Sequence, residues 1–496
     1  MRLAELIDRE TTVMSAAAAR TEILGLTADS RRVEPGWLFA AIPGSRLDGR
    51  DYIDEAVARG ASAVLAPAGT RLKDYGREVA LIEDAEPRRA LAHLAAGFHG
   101  EQPRVIAAVT GTNGKTSVAS FARQLWELLG WPAASLGTLG LVPPRADAPK
   151  ALTTPDPVEL SRCLAELKAA GFEHLALEAS SHGLDQFRLD GLRLSAAAFT
   201  NLSRDHLDYH GSMAAYLAAK RRLFAELLPA SGTAVLNADV PEYEALLALC
   251  RERGQRVLSY GRAGAELRLL DLTPESGRLV LRLSVFGKER SVALPVAGTF
   301  QAWNAMAALG LVLADPAAAP CQATAALEQI GGVPGRVELV GHTPAGAAVY
   351  VDYAHTPGAL ETVLQAVRPH VAGRLFVVFG AGGDRDAGKR PLMGEAAVAN
   401  ADLAIVTDDN PRSEPPAAIR AEILAAAPGA LEIGDRRSAI EQAVGLLEAG
   451  DALVIAGKGH EAGQIVGDRV LPFDDRLVAG DAIAKLGAGA PRGGRA

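Results

Sequence analysis

A glycine-rich segment, TGTNGKTS, spans residues 110–117 and has the residue types of a phosphate-binding loop. Its glycines allow tight turns that point backbone N–H groups at phosphate oxygens, Lys115 adds a positive charge, and the Thr116 hydroxyl suits Mg²⁺. The apolar run VIAAV precedes it and a helical pattern follows, so a helix N-terminus would add its dipole. An ordinary glycine-rich turn is the alternative. We expect ATP to contact Gly111, Thr112, Asn113, Gly114, Lys115, Thr116 and Ser117.

Carboxylate and imidazole side chains follow two other apolar runs. Glu178 ends the run LALEA, where a carboxylate at the carboxyl edge of a parallel sheet could hold Mg²⁺. A helix-capping role for Glu178 is the alternative. The segment TNLSRDHLDYHG contains Asp205, His206, Asp208 and His210, and helix capping explains Asp208 and His210 equally well. ATP binding with Mg²⁺ leaves motors, kinases and ligases open.

The composition is that of a globular protein with large cores. The chain has 496 residues, of which 49% are hydrophobic and 22% charged, and this excludes extensive disorder. Aromatic residues make up 5% and the net charge is −8, which argues against a nucleic-acid-binding surface. Three well-separated cysteines, Cys163, Cys250 and Cys321, form neither a disulfide framework nor a metal-ligand pattern. We find neither a signal peptide nor a membrane-spanning run and expect a cytoplasmic protein.

The elements that must position these residues follow an α/β pattern. Strands are predicted at 38–42 and 62–66, with a helix at 51–61 between them. Apolar runs at 105–109, 175–179, 196–202 and 233–239 alternate with helices and predict a parallel sheet. Alternating runs at 267–272, 278–286 and 290–296 predict antiparallel hairpins. A second α/β series is predicted at 349–354, 375–380, 403–408, 431–434 and 452–457.

These patterns predict three domains. A small α/β domain covers residues 1–100, and a central phosphate-loop domain with a parallel sheet and an added antiparallel part covers 101–334. A Rossmann-like α/β domain covers 335–488, and residues 489–496 form a tail predicted to be disordered. A dinucleotide motif is not expected in GAGGDRD, because Arg385 stands where the third glycine is required.

The motif TGTNGKT resembles the phosphate loop of the Mur ligase family, the ATP-dependent amide ligases of peptidoglycan precursor synthesis. The resemblance extends along essentially the whole chain through a series of motifs in the same order. It implies that ATP phosphorylates a substrate carboxylate and that an amine then attacks the acyl phosphate. It also implies a monomer that acts on small molecules, with no nucleic-acid partner.

The resemblance implies a reaction centre formed by Lys115, Glu178, His206 and Lys220. Thr116, Glu178, His206 and Lys220 would bind Mg²⁺, with Lys220 carbamylated by CO₂. The residue pattern alone predicts only a solvated basic helix face at Lys220. Further nucleotide contacts are implied for Asn304, Arg336, Asp352 and His355.

The same resemblance implies a UDP-sugar site for UDP-MurNAc-L-Ala-D-Glu. Its residues would be Ser30, Ser45, Arg46, Leu47, Thr153, Thr154, Ser180, Gln186 and Arg188. Residues 45–47 read Ser-Arg-Leu, whereas family members usually have His-Gln-Ala there. Leu152 stands where family members often have Asn, just before Thr153.

The amino acid to be added is implied to be meso-2,6-diaminopimelate. The motif DNPR at 409–412 accompanies this substrate in the family. Arg412 can bind the distal carboxylate of diaminopimelate bidentately, and the amino acid lysine has no such carboxylate. The implied site comprises Arg385, Asp409, Asn410, Pro411, Arg412, Gly457 and Glu461. A lysine-adding ligase, a folylpolyglutamate synthetase and a non-catalytic scaffold are the alternatives, and DNPR argues against the first of them.

Overall fold

The computed structural model describes residues 1–6, 13–14, 18–44, 47–145 and 152–489. Contacts divide the chain into two compact units. The first comprises Met1–Tyr260 and Ala307–Ala319, and the second comprises Gly261–Met306 and Pro320–Ala496. Two predicted site residues, Ser45 and Arg46, and the predicted tail beyond residue 489 lie outside the described residues. The predicted domain boundaries stay a prediction.

The N-terminal part of the first unit contains a five-stranded sheet in the order β1–β5–β4–β3–β2. The strands are β1 Val13–Met14, β2 Gly25–Thr27, β3 Trp37–Ala40, β4 Ala63–Pro67 and β5 Ala80–Asp84. The helices are α1 Leu3–Leu6, α2 Ile53–Ala58 and α3 Pro87–His99. Strands β2 to β5 are parallel and β1 is antiparallel to β5. The two strands and the helix predicted here are confirmed.

The rest of the first unit is built on strands in the order β12–β11–β10–β6–β9–β7–β8. They are β6 Val105–Thr110, β7 Ala133–Gly137, β8 Gly140–Val142, β9 His174–Glu178, β10 Ala196–Phe199, β11 Thr233–Asn237 and β12 Arg256–Gly261. The helices are α4 Lys115–Leu128, α5 Pro157–Ala169, α6 Ser181–Asp185, α7 Leu207–His210, α8 Met213–Arg222 and α9 Tyr243–Glu252, with a π-helical turn at Leu223–Leu227. Helix α10, Gln301–Leu313, follows later in the chain. All these strands except the edge strand β8 pair in parallel.

The parallel strands are apolar along their whole length because both faces of the sheet are covered. Ile106, Leu175, Leu177 and Phe199 belong to one buried cluster. Phosphate-loop and metal-site candidates therefore follow buried strands, at the carboxyl edge where ligands bind in such sheets. The predicted α/β class with a parallel sheet is confirmed.

The second unit contains the predicted hairpins and a second parallel sheet. The hairpin strands are β13 Leu267–Glu275, β14 Arg278–Val285 and β15 Lys288–Leu294, paired antiparallel. The sheet has the order β16–β17–β21–β18–β19–β20, in which only β16 is antiparallel. Its strands are β16 Glu338–His342, β17 Ala348–Asp352, β18 Leu375–Phe379, β19 Leu403–Val406, β20 Leu431–Glu432 and β21 Ala452–Ala456.

Helices cover both faces of this second sheet. They are α12 Pro357–Val367, α13 Lys389–Asn400, α14 Pro416–Leu424, α15 Arg436–Gly445 and α16 Asp475–Gly489, whereas α11 Pro320–Ala326 contacts the hairpin strand β15. A separate hairpin, β22 Gly463–Val466 with β23 Arg469–Pro472, was not predicted. Its strands are short and largely exposed, so they lack the apolar run that marks a buried strand. No helix within the described ranges combines the length and the apolarity needed to cross a membrane.

A fully buried ion pair joins α15 to α16. Arg436 Nε and Nη2 donate to the two carboxylate oxygens of Asp475 at 2.8 and 2.7 Å. Arg436 Nη2 also donates to the carbonyl oxygen of Ala456 at 2.9 Å, at the end of β21. The guanidinium therefore connects two helices to the strand edge that precedes Gly457.

Replacing Arg436 by Met should lower the free energy of unfolding by about 3–5 kcal/mol, because Asp475 would become an uncompensated buried charge. Urea titration followed by far-ultraviolet circular dichroism measures the loss. Lys485→Met is the matched control, since Lys485 pairs with Glu441 on the surface, and it should stay within about 0.5 kcal/mol of the parent protein. Equal stabilities for the two variants would contradict this assignment.

Candidate active site

The phosphate loop connects β6 to α4 and requires glycine at two positions. Gly111 has φ 149°, and a Cβ atom there would lie 1.9 Å from Thr200 Oγ1. Gly114 adopts the left-handed region, with φ 89°, just before Lys115 opens α4. Neither position accommodates an ordinary side chain without a backbone shift. The predicted loop-to-helix arrangement is observed.

The end of β10 fixes the shape of this loop. Asn201 accepts two loop N–H groups, from Thr112 on its backbone oxygen and from Asn113 on Oδ1, both at 2.9 Å. Thr200 Oγ1 donates to the carbonyl oxygen of Asn113 at 2.6 Å. The loop is therefore held in shape by protein contacts alone.

Glu178 lies buried at the end of β9 beside two threonines. Its Oε2 accepts from Thr116 Oγ1 at 3.1 Å and from Thr138 Oγ1 at 3.1 Å, and its Oε1 accepts from the Thr138 N–H at 2.8 Å. A Cβ atom at Gly137 would lie 2.2 Å from Glu178 Oε1, so the close approach depends on that glycine. The adjacent Thr116 hydroxyl and Glu178 carboxylate are oxygen donors that Mg²⁺ accepts. These residues therefore fit a Mg²⁺ ion beside the phosphate loop.

Lys220 does not lie on a solvated face. Its side chain is buried, and Nζ donates to the carbonyl oxygen of Gly111 at 2.7 Å. Burial, with the charge of Lys115 as the next cause, lowers the pKa of Lys220 to about 6. The prediction from the residue pattern alone was wrong here, because Lys220 lies on the side of α8 that also buries Tyr216 and Ala219, whereas Arg221 is exposed. At neutral pH Lys220 is mainly an uncharged amine.

His206 occupies a more open position than Glu178. It adopts a left-handed backbone conformation with φ 53°, and its Nε2 lies 3.5 Å from Asp205 Oδ2. Its ring packs against that of His182, with centroids 4.9 Å apart. In the described part of the chain, no three His, Cys, Asp or Glu side chains are arranged to hold a metal ion. The structure thus brings Thr116 and Glu178 together, whereas His206 contacts Asp205 and His182.

The predicted muramoyl-dipeptide residues form one hydrogen-bonded group next to Glu178. Thr154 Oγ1 donates to the carbonyl oxygen of Glu178 at 2.8 Å and lies 3.0 Å from Ser180 Oγ, which caps α6. Arg188 donates to the carbonyl oxygen of Thr154 at 2.7 Å and to Gln186 Oε1 at 2.6 Å. Thr153 Oγ1 lies 3.3 Å from Thr138 Oγ1.

The predicted uridine-side residues lie in the N-terminal sheet region. Ser30 is buried and donates to Glu55 Oε2 at 3.0 Å. Leu47 has an exposed side chain, and its carbonyl oxygen accepts from the Gly44 N–H at 2.7 Å. Exposure of Leu47 leaves it accessible to a ligand.

In the second unit, the predicted nucleotide residues cluster around Arg336. Asn304 donates to Gln301, and Gln301 donates to the carbonyl oxygen of Arg336 at 3.2 Å. The Arg336 guanidinium lies over the Tyr353 ring, 4.7 Å from its centroid. His355 Nδ1 lies 2.9 Å from the carbonyl oxygen of Tyr353.

Asp352, also predicted to contact the nucleotide, is buried at the end of β17. It accepts backbone N–H groups from Val337 at 2.8 Å and from Ala354 at 2.7 Å. Burial raises the pKa of Asp352, although the Arg336 charge and these N–H groups oppose the shift.

The DNPR segment follows β19 and bonds closely to two other loops. Arg412 has φ 53°, and its Nη1 donates to the carbonyl oxygen of Gly383 at 2.7 Å. Its backbone N–H donates to Ile465 in the hairpin at 3.1 Å. Asn410 Nδ2 donates to Glu461 Oε2 at 3.1 Å. The structure thus brings Asn410 into contact with both Arg412 and Glu461, while their role in binding stays a prediction.

Glycines complete this second cluster. Gly457 has φ 116°, and a Cβ atom there would lie 2.5 Å from Asp409 Oδ2, a buried atom with no hydrogen-bond partner in the described part of the chain. A Cβ atom at Gly382 would lie 2.8 Å from Arg412 and 3.9 Å from Arg385 Cγ. Arg385 and Gly457 therefore border the Asp409–Arg412 segment, of which Pro411 is the remaining member.

Sequence reasoning missed two residues in these clusters. Thr138 donates twice to Glu178, and Lys458 donates to both Asn410 and Glu461. The only signal for Thr138 is its place after a strand and Gly137. Lys458 could have been found as a lysine placed between two glycines after a buried strand.

Three models of Mur ligase domains match the chain. The Mur ligase family, catalytic domain matches residues 22–99, the Mur ligase middle domain matches 109–312, and the Mur ligase, glutamate ligase domain matches 335–459. The matches cover most of the chain and include both clusters described above.

Relatives with high identity share one name, UDP-N-acetylmuramoyl-L-alanyl-D-glutamate–2,6-diaminopimelate ligase. The relative from Caulobacter vibrioides is 56% identical over 462 residues, covering 91% of this chain and 94% of its own. The relative from Bradyrhizobium diazoefficiens is 53% identical over 488 residues, covering 98% and 99%. A solved structure under the same name is 33% identical, with a TM-score of 0.70 over 95% of this chain and 97% of its own. The chain, an α/β protein with a glycine-rich phosphate loop, therefore belongs to the Mur ligase family.

Proposed function

We propose that this protein is an ATP-dependent ligase that joins meso-2,6-diaminopimelate to the D-Glu γ-carboxylate of UDP-MurNAc-L-Ala-D-Glu. The observation that carries the proposal is the cluster of Arg412, Asn410 and Glu461, in which Asn410 contacts both the cation and the anion. Such a pair matches the distal carboxylate and ammonium of diaminopimelate. The relatives' shared name supports the same substrates.

ATP would bind with its phosphates against the loop of residues 111–117. Lys115 would offset charge on the γ-phosphoryl group as a carboxylate oxygen of the substrate attacks phosphorus and ADP leaves. The amine of diaminopimelate would then attack the acyl carbon, and inorganic phosphate leaves as the amide forms. Thr116 and Glu178 would hold Mg²⁺, which neutralises phosphate charge when bound.

Lys220 is the proposed carbamylation site. Its lowered pKa, about 6, leaves the neutral amine that can attack CO₂, forming an N–C bond and releasing one proton. The product is an anion within reach of the loop, where it balances the Lys115 charge and offers oxygen ligands to a metal ion. His206 is the further proposed metal ligand.

The remaining contacts follow from the two clusters. Thr153, Thr154, Ser180, Gln186 and Arg188 are proposed to bind the muramoyl-dipeptide, and Ser30 and Leu47 the uridine. Asn304, Arg336, Asp352 and His355 are proposed nucleotide contacts. We also propose that the reaction takes place in the cytoplasm, because ATP and a nucleotide sugar are its substrates, and that the protein acts as a monomer.

Product mass and phosphate release test the proposal directly. With ATP, Mg²⁺, bicarbonate and UDP-MurNAc-L-Ala-D-Glu, turnover should require meso-diaminopimelate and should not occur with L-lysine. Arg412→Lys should lower kcat/KM for diaminopimelate by about tenfold to hundredfold, because an ammonium cannot bind a carboxylate bidentately. Arg278→Lys, on the exposed β13–β14 hairpin, is the control and should match the parent protein. Turnover with lysine would retain a ligase but remove the proposed role of Arg412.

Carbamylation of Lys220 should depend on pH. Below its pKa of about 6 the amine is protonated and cannot react, so the carbamate should form above that pH and disappear as pH falls through it. ¹³C NMR with labelled bicarbonate should show one carbamate resonance that Lys220→Met abolishes and Lys485→Met retains. A resonance unaffected by Lys220→Met would assign the carbamate elsewhere.

Adding one methyl group to the phosphate loop should abolish most activity. Gly111→Ala would force the loop away from Thr200, and a displacement approaching 1 Å should cost about hundredfold in kcat/KM. Gly130→Ala is the control, because Gly130 also has positive φ, 82°, but a Cβ there meets nothing within 4 Å. Steady-state kinetics with varied ATP, alongside thermal melting, compare the two. Equal activity losses would show that the clash at Gly111 is unimportant.

A further inference from the structure

Lys458 is a fully buried lysine between two glycines in the turn after β21. Gly457 has φ 116° and Gly459 has φ 55°. A Cβ atom at Gly459 would lie 2.8 Å from Tyr353 Cβ, just as one at Gly457 would collide with Asp409. The absence of side chains on both neighbours lets the turn pack closely and brings the Lys458 side chain inside.

The Lys458 ammonium is shared between two residues of the DNPR cluster. Nζ donates to Asn410 Oδ1 at 2.9 Å and to Glu461 Oε2 at 3.3 Å. Asn410 Oδ1 also accepts the Ile465 N–H at 2.9 Å, and its Nδ2 donates to Glu461 Oε2 at 3.1 Å. These contacts determine which way the Asn410 amide faces, because the lysine can only donate.

The two ends of this ion pair differ in exposure. The Lys458 side chain is 0% exposed and that of Glu461 is 34% exposed. A buried ammonium is costly unless it is paired and hydrogen-bonded, so Lys458 holds Glu461 toward the interior through Oε2. With Oε2 accepting from Lys458 and Asn410, Oε1 is the oxygen left to meet a ligand.

We propose that Lys458 is a positioning residue that orients Glu461 and Asn410 to bind the distal ammonium group of the amino-acid substrate. This inference rests on the proposed function. Lys458 itself is buried behind Glu461 and does not contact the substrate. It acts by holding one carboxylate oxygen, so that the other faces the incoming ammonium.

This arrangement also determines the orientation of the distal carboxylate and ammonium groups of the substrate. Arg412 supplies a cation on one side and Glu461 an anion on the other, and reversing the two would bring like charges together. Lys458 maintains the difference, because without it Glu461 could turn toward Arg412 and neutralise the carboxylate-binding side. Its loss should therefore affect the recognition of the ammonium before it affects catalysis.

The test compares meso-diaminopimelate with 2-aminopimelate, which keeps the distal carboxylate but lacks the distal amine. Lys458→Met, similar in volume but without charge or donors, should raise KM for diaminopimelate by about tenfold to hundredfold. KM for ATP and for the UDP-sugar should not change. The preference for diaminopimelate over 2-aminopimelate in kcat/KM should fall nearly to that of Glu461→Gln. The double variant should lose little more than either single variant, since one residue acts through the other.

Lys485→Met is the matched control and should keep the parent preference. If Lys458→Met is insoluble, Lys458→Gln, which retains one donor for Asn410, should show the same loss of preference. A variant that loses activity equally with both amino acids, and melts earlier, would overturn the proposal in favour of a purely structural role. A parent protein that turns over neither amino acid would instead refute the proposed function, whereas normal turnover with an unchanged preference in the variant would refute only the role of Lys458.

Discussion

Two lysine side-chain nitrogens share one backbone oxygen in the first unit. Lys115 and Lys220 both donate to the carbonyl oxygen of Gly111, at 2.8 and 2.7 Å. Two positive charges this close repel one another unless an anion intervenes or one of them loses its proton. In the protein alone, the lowered pKa of Lys220 removes one of the two positive charges. In the proposed ATP complex, the nucleotide phosphates would supply the anion. The oxygen ligands of Thr116 and Glu178 lie beside this excess of positive charge.

The second unit has the opposite arrangement, in which two unlike charges, Arg412 and Glu461, are each held by other residues. Glu461 and Arg412 carry unlike charges and lie on two loops that Asn410 connects. Lys458 and Asn410 both donate to Glu461, whereas Arg412 donates its backbone N–H to Ile465 in the hairpin and its guanidinium to Gly383. Beneath the cluster, the buried Arg436–Asp475 pair anchors the strand edge from which the turn at Gly457 emerges. In each unit a buried lysine thus lies beside the proposed binding residues: Lys220 beside the phosphate loop and Lys458 beside Glu461.

Sequence periodicity predicted the parallel sheets and most of the helices, because buried parallel strands are continuous apolar runs. The phosphate loop was equally predictable, since its chemistry needs specific residues in consecutive order. The burial of Lys220 was not, because a helix of mixed polarity does not reveal which of its consecutive basic residues is buried. Thr138 and Lys458 escaped for a related reason. Glu178, the partner of Thr138, is 40 residues away in sequence, and Asn410, one partner of Lys458, is 48 residues away, so neither contact has a local pattern. Only the two glycines beside Lys458 mark its position.

The glycines beside Lys458 have a consequence for inhibitor design. A compound shaped like the distal end of diaminopimelate, bound at the proposed site, would lie on a turn where neither Gly457 nor Gly459 accepts a side chain. Resistance by single substitution usually works by adding bulk or removing a contact near the compound. Here added bulk at either glycine collides with Asp409 or Tyr353 rather than with the inhibitor. Mutational escape at this turn would therefore damage the enzyme before it displaced the drug.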